Sequence, residues 1–102
     1  MKSNALRESA KLQECTFNIV GVCNYDPTTV VLCHLPDESH GIGRKSDDIC
    51  AAFGCSSCHA AVDGRSHCPE YTENQFFYNH RANLRTIKNW INAGLIEVRG
   101  YK

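Results

Sequence analysis

A chain of 102 residues has room for one domain, spanning 1–102, and not for a second core. Eleven Lys and Arg balance eleven Asp and Glu, so composition excludes a broadly basic nucleic-acid binder, and any contact with a polyanion has to come from local clusters of Arg and Lys. No apolar stretch approaches a membrane span, and residues 1–8 lack the apolar region of a secretory leader. A cytoplasmic protein is expected, in which an odd count of seven cysteines reads as thiols or metal ligands rather than as a secreted disulfide scaffold.

In chain order, the polar amphipathic stretch 3–14, with Leu6, Ala10 and Leu12 on one side, predicts a short helix leading into Cys15. Phe17, Ile19 and Val20 alternate poorly, and Gly21-Val22-Cys23-Asn24 reads as a turn that brings the chain back. Pro27 holds Asp26 out of a helix. The β-branched and apolar run 28–35 predicts a strand closed by Pro36. Turn formers predict a loop over 37–48. The apolar segment 49–53 is expected to be the partner strand of a hairpin, with a helical turn as the alternative. Gly54 is read as a bend into Cys55-Ser56-Ser57-Cys58, and a short helix from Cys58 to Asp63, capped by Ser56 or Ser57, ends at Gly64. Cys68-Pro69-Glu70 reads as a break. The longest predicted helix runs 73–93 and stops at Gly94. Phe76, Phe77, His80, Leu84, Ile87 and Ile91 form its expected core-facing stripe, with Trp90 at the edge. Arg81, Arg85 and Lys88 share another face. The run 95–98 is long enough only for a terminal strand, and neither repeats nor low-complexity tracts are present.

Two cysteine pairs carry the first chemical signal. A C-x2-C knuckle, Cys55 and Cys58, aims two sulfurs at one centre, and Cys15 with Cys23 supplies the second pair that a tetrahedral thiolate site needs. Zinc there would add folding free energy to a domain with a small core. Two alternatives stay open: a purely structural zinc ribbon, and His59 as a zinc ligand in place of Cys15 or Cys23. Cys33, Cys50 and Cys68 read as small hydrophobes or loop thiols. His40 reads as exposed, His67 as a loop residue and His80 as helix packing.

The second signal is order: strand, loop, strand, then a helix entered through C-x2-C-His, with His34 near the end of the first strand. This arrangement resembles the HNH endonuclease superfamily, whose ββα-metal core implies an α+β fold stapled by zinc with the long C-terminal helix packed across it. The chain is also similar to the small prophage nuclease family typified by YbcO, through the Glu14-Cys15 pair, Gly21-Val22-Cys23-Asn24, the strand ending in His34, the knuckle with His59, and Asp63-Gly64-Arg65-Ser66-His67. The resemblance implies a metal-dependent cleavage of DNA phosphodiester bonds in phage or prophage recombination or replication. It assigns His34 as general base, His59 as catalytic-metal ligand, and Cys15, Cys23, Cys55 and Cys58 as ligands of structural Zn²⁺. Asp63, one helical turn after His59, is a second candidate ligand for a catalytic Mg²⁺ or Mn²⁺ or is simply a solvated carboxylate. Arg65, Arg81, Arg85 and Lys88 are candidate DNA contacts, with Arg44-Lys45 as a further basic pair. His34 needs an orienting partner, a backbone carbonyl or an amide, and Asp47 or Asp48 falls where the family places a middle asparagine. One departure stands out: Cys33 occupies the position before the base where many members carry aspartate. The rival reading is a non-catalytic zinc module that binds DNA or a protein partner.

Overall fold

The computed structural model describes residues 1–36 and 47–100. Most of the predicted 37–48 loop, with His40 and Arg44-Lys45, lies outside them. In chain order the elements are α1 (Asn4–Glu8), a 3-10 turn (Pro27–Thr29), β1 (Val31–His34), β2 (Ala51–Gly54), α2 (Ser56–Val62), α3 (Pro69–Glu73) and α4 (Gln75–Asn92).

α1 is shorter than expected. Ser3 caps it by accepting the Leu6 amide, but the Ser9 hydroxyl donates back to the Leu6 carbonyl at 2.6 Å while accepting the Trp90 indole N–H at 2.7 Å. Beyond Ser9 the chain continues in three-residue turns, and Leu12 adopts φ 61 with most of its side chain in water. Leu6 and Ala10 alone carry the predicted apolar side into the core.

The predicted hairpin partners do pair. β1 and β2 run antiparallel in the register Val31↔Gly54, Leu32↔Phe53, Cys33↔Ala52 and His34↔Ala51, as a two-stranded sheet. Every residue of β2 is buried. Gly54 is required by packing rather than by a bend, since a Cβ there would lie 2.5 Å from the Cys33 sulfur and 3.0 Å from two Phe17 ring carbons.

A lone pair of strands leaves one edge of β2 with unpaired backbone groups, and burying these without partners costs stability. α4 and the segment after Cys15 supply the partners. Thr86 Oγ1 accepts the Phe53 N–H at 3.1 Å, Thr16 donates to the Phe53 carbonyl through both its amide and its hydroxyl, and the Asn83 amide donates to the Ala51 and Ile49 carbonyls. This demand sets the rotation of α4. Its buried residues are Tyr78, Ala82, Thr86 and Trp90, with Trp90 edge-on to Phe53 at 6.0 Å. The stripe expected to face the core points elsewhere: Phe76, Phe77, His80 and Leu84 are exposed, Ile87 and Ile91 only partly covered.

Three smaller expectations also change. Pro69, whose missing N–H costs nothing in the first turn of a helix, opens α3 where a break was read. Cys55, not a serine, caps α2: its sulfur accepts the Cys58 N–H. Residues 95–98 form no strand, because Gly94 at φ 77 turns the chain so that the Leu95 and Ile96 amides return to the Trp90 carbonyl.

Candidate metal centre and active site

The turn after Cys15 and the turn after Cys23 each contain a residue with positive φ, Asn18 at 45 and Tyr25 at 56. These turns aim amides at sulfur: Phe17 and Asn18 donate to Cys15, and Tyr25 to Cys23. Asn24 ties the second turn to the knuckle by donating to the Ser56 and Ser57 hydroxyls at 3.0 and 3.3 Å. As a result the sulfurs of Cys15, Cys23, Cys55 and Cys58 all lie within 4.8 Å of one another, and all four are free thiols.

Tetrahedral Zn–S bonds of about 2.3 Å place neighbouring sulfurs roughly 3.8 Å apart. Cys55 and Cys23 already stand at 3.9 Å, so closure around an ion needs movements of an ångström or less. Proton affinity fits the same purpose. A hydrogen bond from Cys58 lowers Cys15 to about 5, against the opposing effect of burial, and the same bond followed by burial pushes Cys58 well up. A cation bound among the four sulfurs would displace the protons they carry. This donor set could hold a soft or borderline metal such as zinc. His59 is not part of the sulfur cluster.

His34 is the last residue of β1. Its Nε2 lies 2.8 Å from Asp48 Oδ1, and its side chain is 21% exposed. Asp48 is 1% exposed and accepts two further donors on Oδ2, the Ser3 amide at 2.6 Å and Arg7 Nε at 3.0 Å. Burial opposes its ionisation, yet the donors His34, Ser3 and Arg7 together hold its carboxyl down to about 2. An ionised carboxylate only accepts, so Nε2 is the donor in this contact, and in a neutral ring the lone pair would then lie on Nδ1. The expected carbonyl or amide partner of His34 is therefore a carboxylate.

On α2, His59 Nε2 lies 3.0 Å from Asp63 Oδ2, and Arg65 Nη2 reaches the same oxygen at 3.5 Å. Cys33 is buried, and its thiol is pushed up by that burial first and next by the Asp63 charge. Among the described residues, no third His, Cys, Asp or Glu joins either histidine pair in a metal-sized group.

A profile of the family described as "Putative nuclease YbcO" matches residues 4–95. The chain belongs to the YbcO family. Two relatives with that description, from Escherichia coli strain K12 and from Enterobacteria phage 82, are each 43% identical over 63 residues, covering 61% of this chain and 66% of the relative. The matched part spans just under two thirds of those YbcO proteins. A solved structure, described as that of a "putative bacteriophage protein" from Escherichia coli K-12, shares 31% identity at a TM-score of 0.66 and covers 88% of this chain and 100% of that chain.

The span matched to YbcO takes in the four cysteines, both histidine pairs and the arginines of α4. Those arginines have partners that the sequence reading missed. Arg81 donates to the Phe17 carbonyl at 2.7 Å, and Arg85 to the Thr16 carbonyl at 3.2 Å and to Asn18 Oδ1 at 3.0 Å. Both bind the turn that presents Cys15. Lys88 and Arg65 are exposed. The spacing of Arg81, Arg85 and Lys88 marked a common face, but no signal in the sequence names a backbone carbonyl as partner.

Proposed function

We propose that this YbcO-family chain is a metal-dependent endonuclease of the HNH, ββα-metal kind that hydrolyses DNA phosphodiester bonds in a cytoplasmic phage or prophage setting. The observation that carries the reading is the ionised, buried Asp48 bound to His34 Nε2. It fixes the ring, selects the tautomer and leaves Nδ1 as the basic atom that takes a proton from the attacking water. Asp48 also stabilises the imidazolium that results. His59 and Asp63 are proposed to hold the catalytic divalent ion, Mg²⁺ or Mn²⁺, which when bound stabilises the charge developing on the leaving oxygen. The four-cysteine group is proposed to hold structural Zn²⁺. Arg65, Arg81, Arg85 and Lys88 are the proposed phosphate contacts, with Arg81 and Arg85 also anchoring the Cys15 turn.

Two observations favour the rival, a non-catalytic zinc module: His59 and Asp63 lack a third ligand of their kind among the described residues, and Cys33 is buried where many HNH proteins carry a ligating aspartate. A plasmid-nicking assay with added Mg²⁺ or Mn²⁺ decides between them. His34→Ala should keep its zinc content and circular dichroism while losing about 10²–10⁴-fold in rate. Wild-type protein that never nicks would leave the non-catalytic reading standing, and a variant that nicks as fast as wild type would remove His34 from the role of general base.

A further inference from the structure

The exposed apolar side chains of α4 have no assigned role in the preceding reading, although the cations beside them are proposed phosphate contacts. Phe76 is 89% exposed, Phe77 58% and Leu84 43%. Phe77, Arg81, Leu84 and Lys88 follow one another at intervals of four, three and four residues, so apolar and cationic side chains alternate along one line of the helix. The eighteen residues of α4 include His80, Arg81, Arg85 and Lys88 but neither Asp nor Glu. Arg81 stands 4.8 Å from the Phe77 ring centroid while its Nη2 is bound to the Phe17 carbonyl, so a cation fixed by the fold backs the exposed ring. A cleft of about 380 Å³, lined by Gly64, His67, Tyr71 and Gln75 among others, runs from the end of α2 to the residue before Phe76.

Exposed aromatic rings interleaved with cations fit a ligand with π faces and a polyanionic backbone. Duplex bases are already stacked on one another and offer no free face, whereas unpaired bases do. A second copy of this chain fits less well, because packing two α4 helices face to face would bring the cations of both together with no carboxylate on either helix to offset them.

We propose that this face is a stacking platform for unpaired bases, so that the substrate of the protein is DNA containing a single-stranded segment. The proposal rests on the nuclease reading and names the substrate class.

The test uses full-length, zinc-loaded protein carrying His34→Ala to prevent cleavage. Fluorescence anisotropy would measure binding of a labelled oligothymidylate and of a blunt duplex, with and without the paired change Phe76→Leu and Phe77→Leu. Leucine keeps the apolar contact and removes the ring. The paired change should weaken the single strand by roughly 5- to 150-fold per stacked base lost, with duplex affinity, light-scattering mass and circular dichroism unchanged. Phe76→Leu alone, at the most exposed site, gives a readout free of any effect on Arg81 packing and should weaken single-strand binding in the same sense. Equal single-strand affinity in the leucine variants would overturn the platform. A change in mass, or anionic vesicles bound in preference to the oligonucleotide, would overturn it in favour of a second copy or a lipid surface. If the platform fails while wild-type protein still nicks plasmid, the nuclease reading survives; wild-type protein that neither binds nor cuts any DNA removes both.

Discussion

At the scale of single residues, the most consequential contact is His34 with Asp48. A carboxyl whose folded-state pKa is depressed stabilises the fold above its unfolded value and loses that contribution as pH falls through the folded value. For Asp48 the window lies between the ordinary 3.8 and about 2. Asp48→Asn should therefore cost on the order of 2 kcal/mol above pH 5, and the gap to wild type should close as pH falls from about 4 to about 2. Denaturant unfolding at a series of pH values measures this; a gap independent of pH would show that the carboxylate charge contributes nothing. On the nuclease reading the same variant should also slow nicking by about 10–100-fold, because the ring loses its orienting partner. Gly54 makes a second prediction of this size. Gly54→Ala should destabilise by about 1–3 kcal/mol through overpacking. Cys33→Ala in the same chain should recover part of that loss, since the sulfur is the nearest obstacle, 2.5 Å from the added carbon. Additive effects of the two changes would point to Phe17 as the side chain in the way.

At the scale of elements, α4 shows why an apolar stripe is an incomplete guide. The six residues 76, 77, 80, 84, 87 and 91 satisfy a helical period, yet the helix turns Thr86 and Asn83 to the sheet because β2 needs donors and acceptors along its edge. Thr86→Val keeps shape and removes the acceptor of the Phe53 N–H, which should cost about 1–3 kcal/mol. Leu84→Ser, on a residue the stripe placed in the core, should change stability by about 0.5 kcal/mol or less. Thermal or denaturant unfolding of the two variants checks the contrast, and a Leu84→Ser penalty as large as that of Thr86→Val would reinstate the stripe. The hairpin itself was legible, since β-branched residues before His34 and the short apolar run after the loop pair in a regular antiparallel register.

At the scale of the whole molecule, the Cys15 turn is the junction. It completes the sulfur cluster, pairs with the open edge of β2 through Thr16, and receives Arg81 and Arg85 from α4. Binding of the proposed metal would therefore be coupled to global folding. Chelation of the proposed zinc should abolish cooperative unfolding and the native circular dichroism signal, and re-addition of Zn²⁺ should restore both. Arg85→Ala should leave the four sulfurs in place but speed metal release to a chelating dye, with apparent affinity lower on the order of 10-fold. Release at the wild-type rate would assign Arg85 to phosphate contact alone.

The sequence by itself determined the order of elements that leads into the knuckle and the pairing of Cys55 with Cys58, and it offered Cys15 and Cys23 as the second pair with His59 as an alternative. Both follow from local rules: turn residues beside Cys23, a C-x2-C spacing, and β-branched residues ending in His34. It also placed His59 and Asp63 on one face, since four residues make about one helical turn. Only the tertiary structure decided that Asp48, 14 positions further along the chain, is the partner of His34, because a carboxylate's partner depends on which donors the fold brings together and on burial that no local pattern reports. The rotation of α4 and the backbone partners of Arg81 and Arg85 were likewise hidden. Periodicity records which side chains are apolar, whereas the hydrogen bonds required by the open edge of β2 and by the carbonyls of the Cys15 turn exist only once those segments are packed.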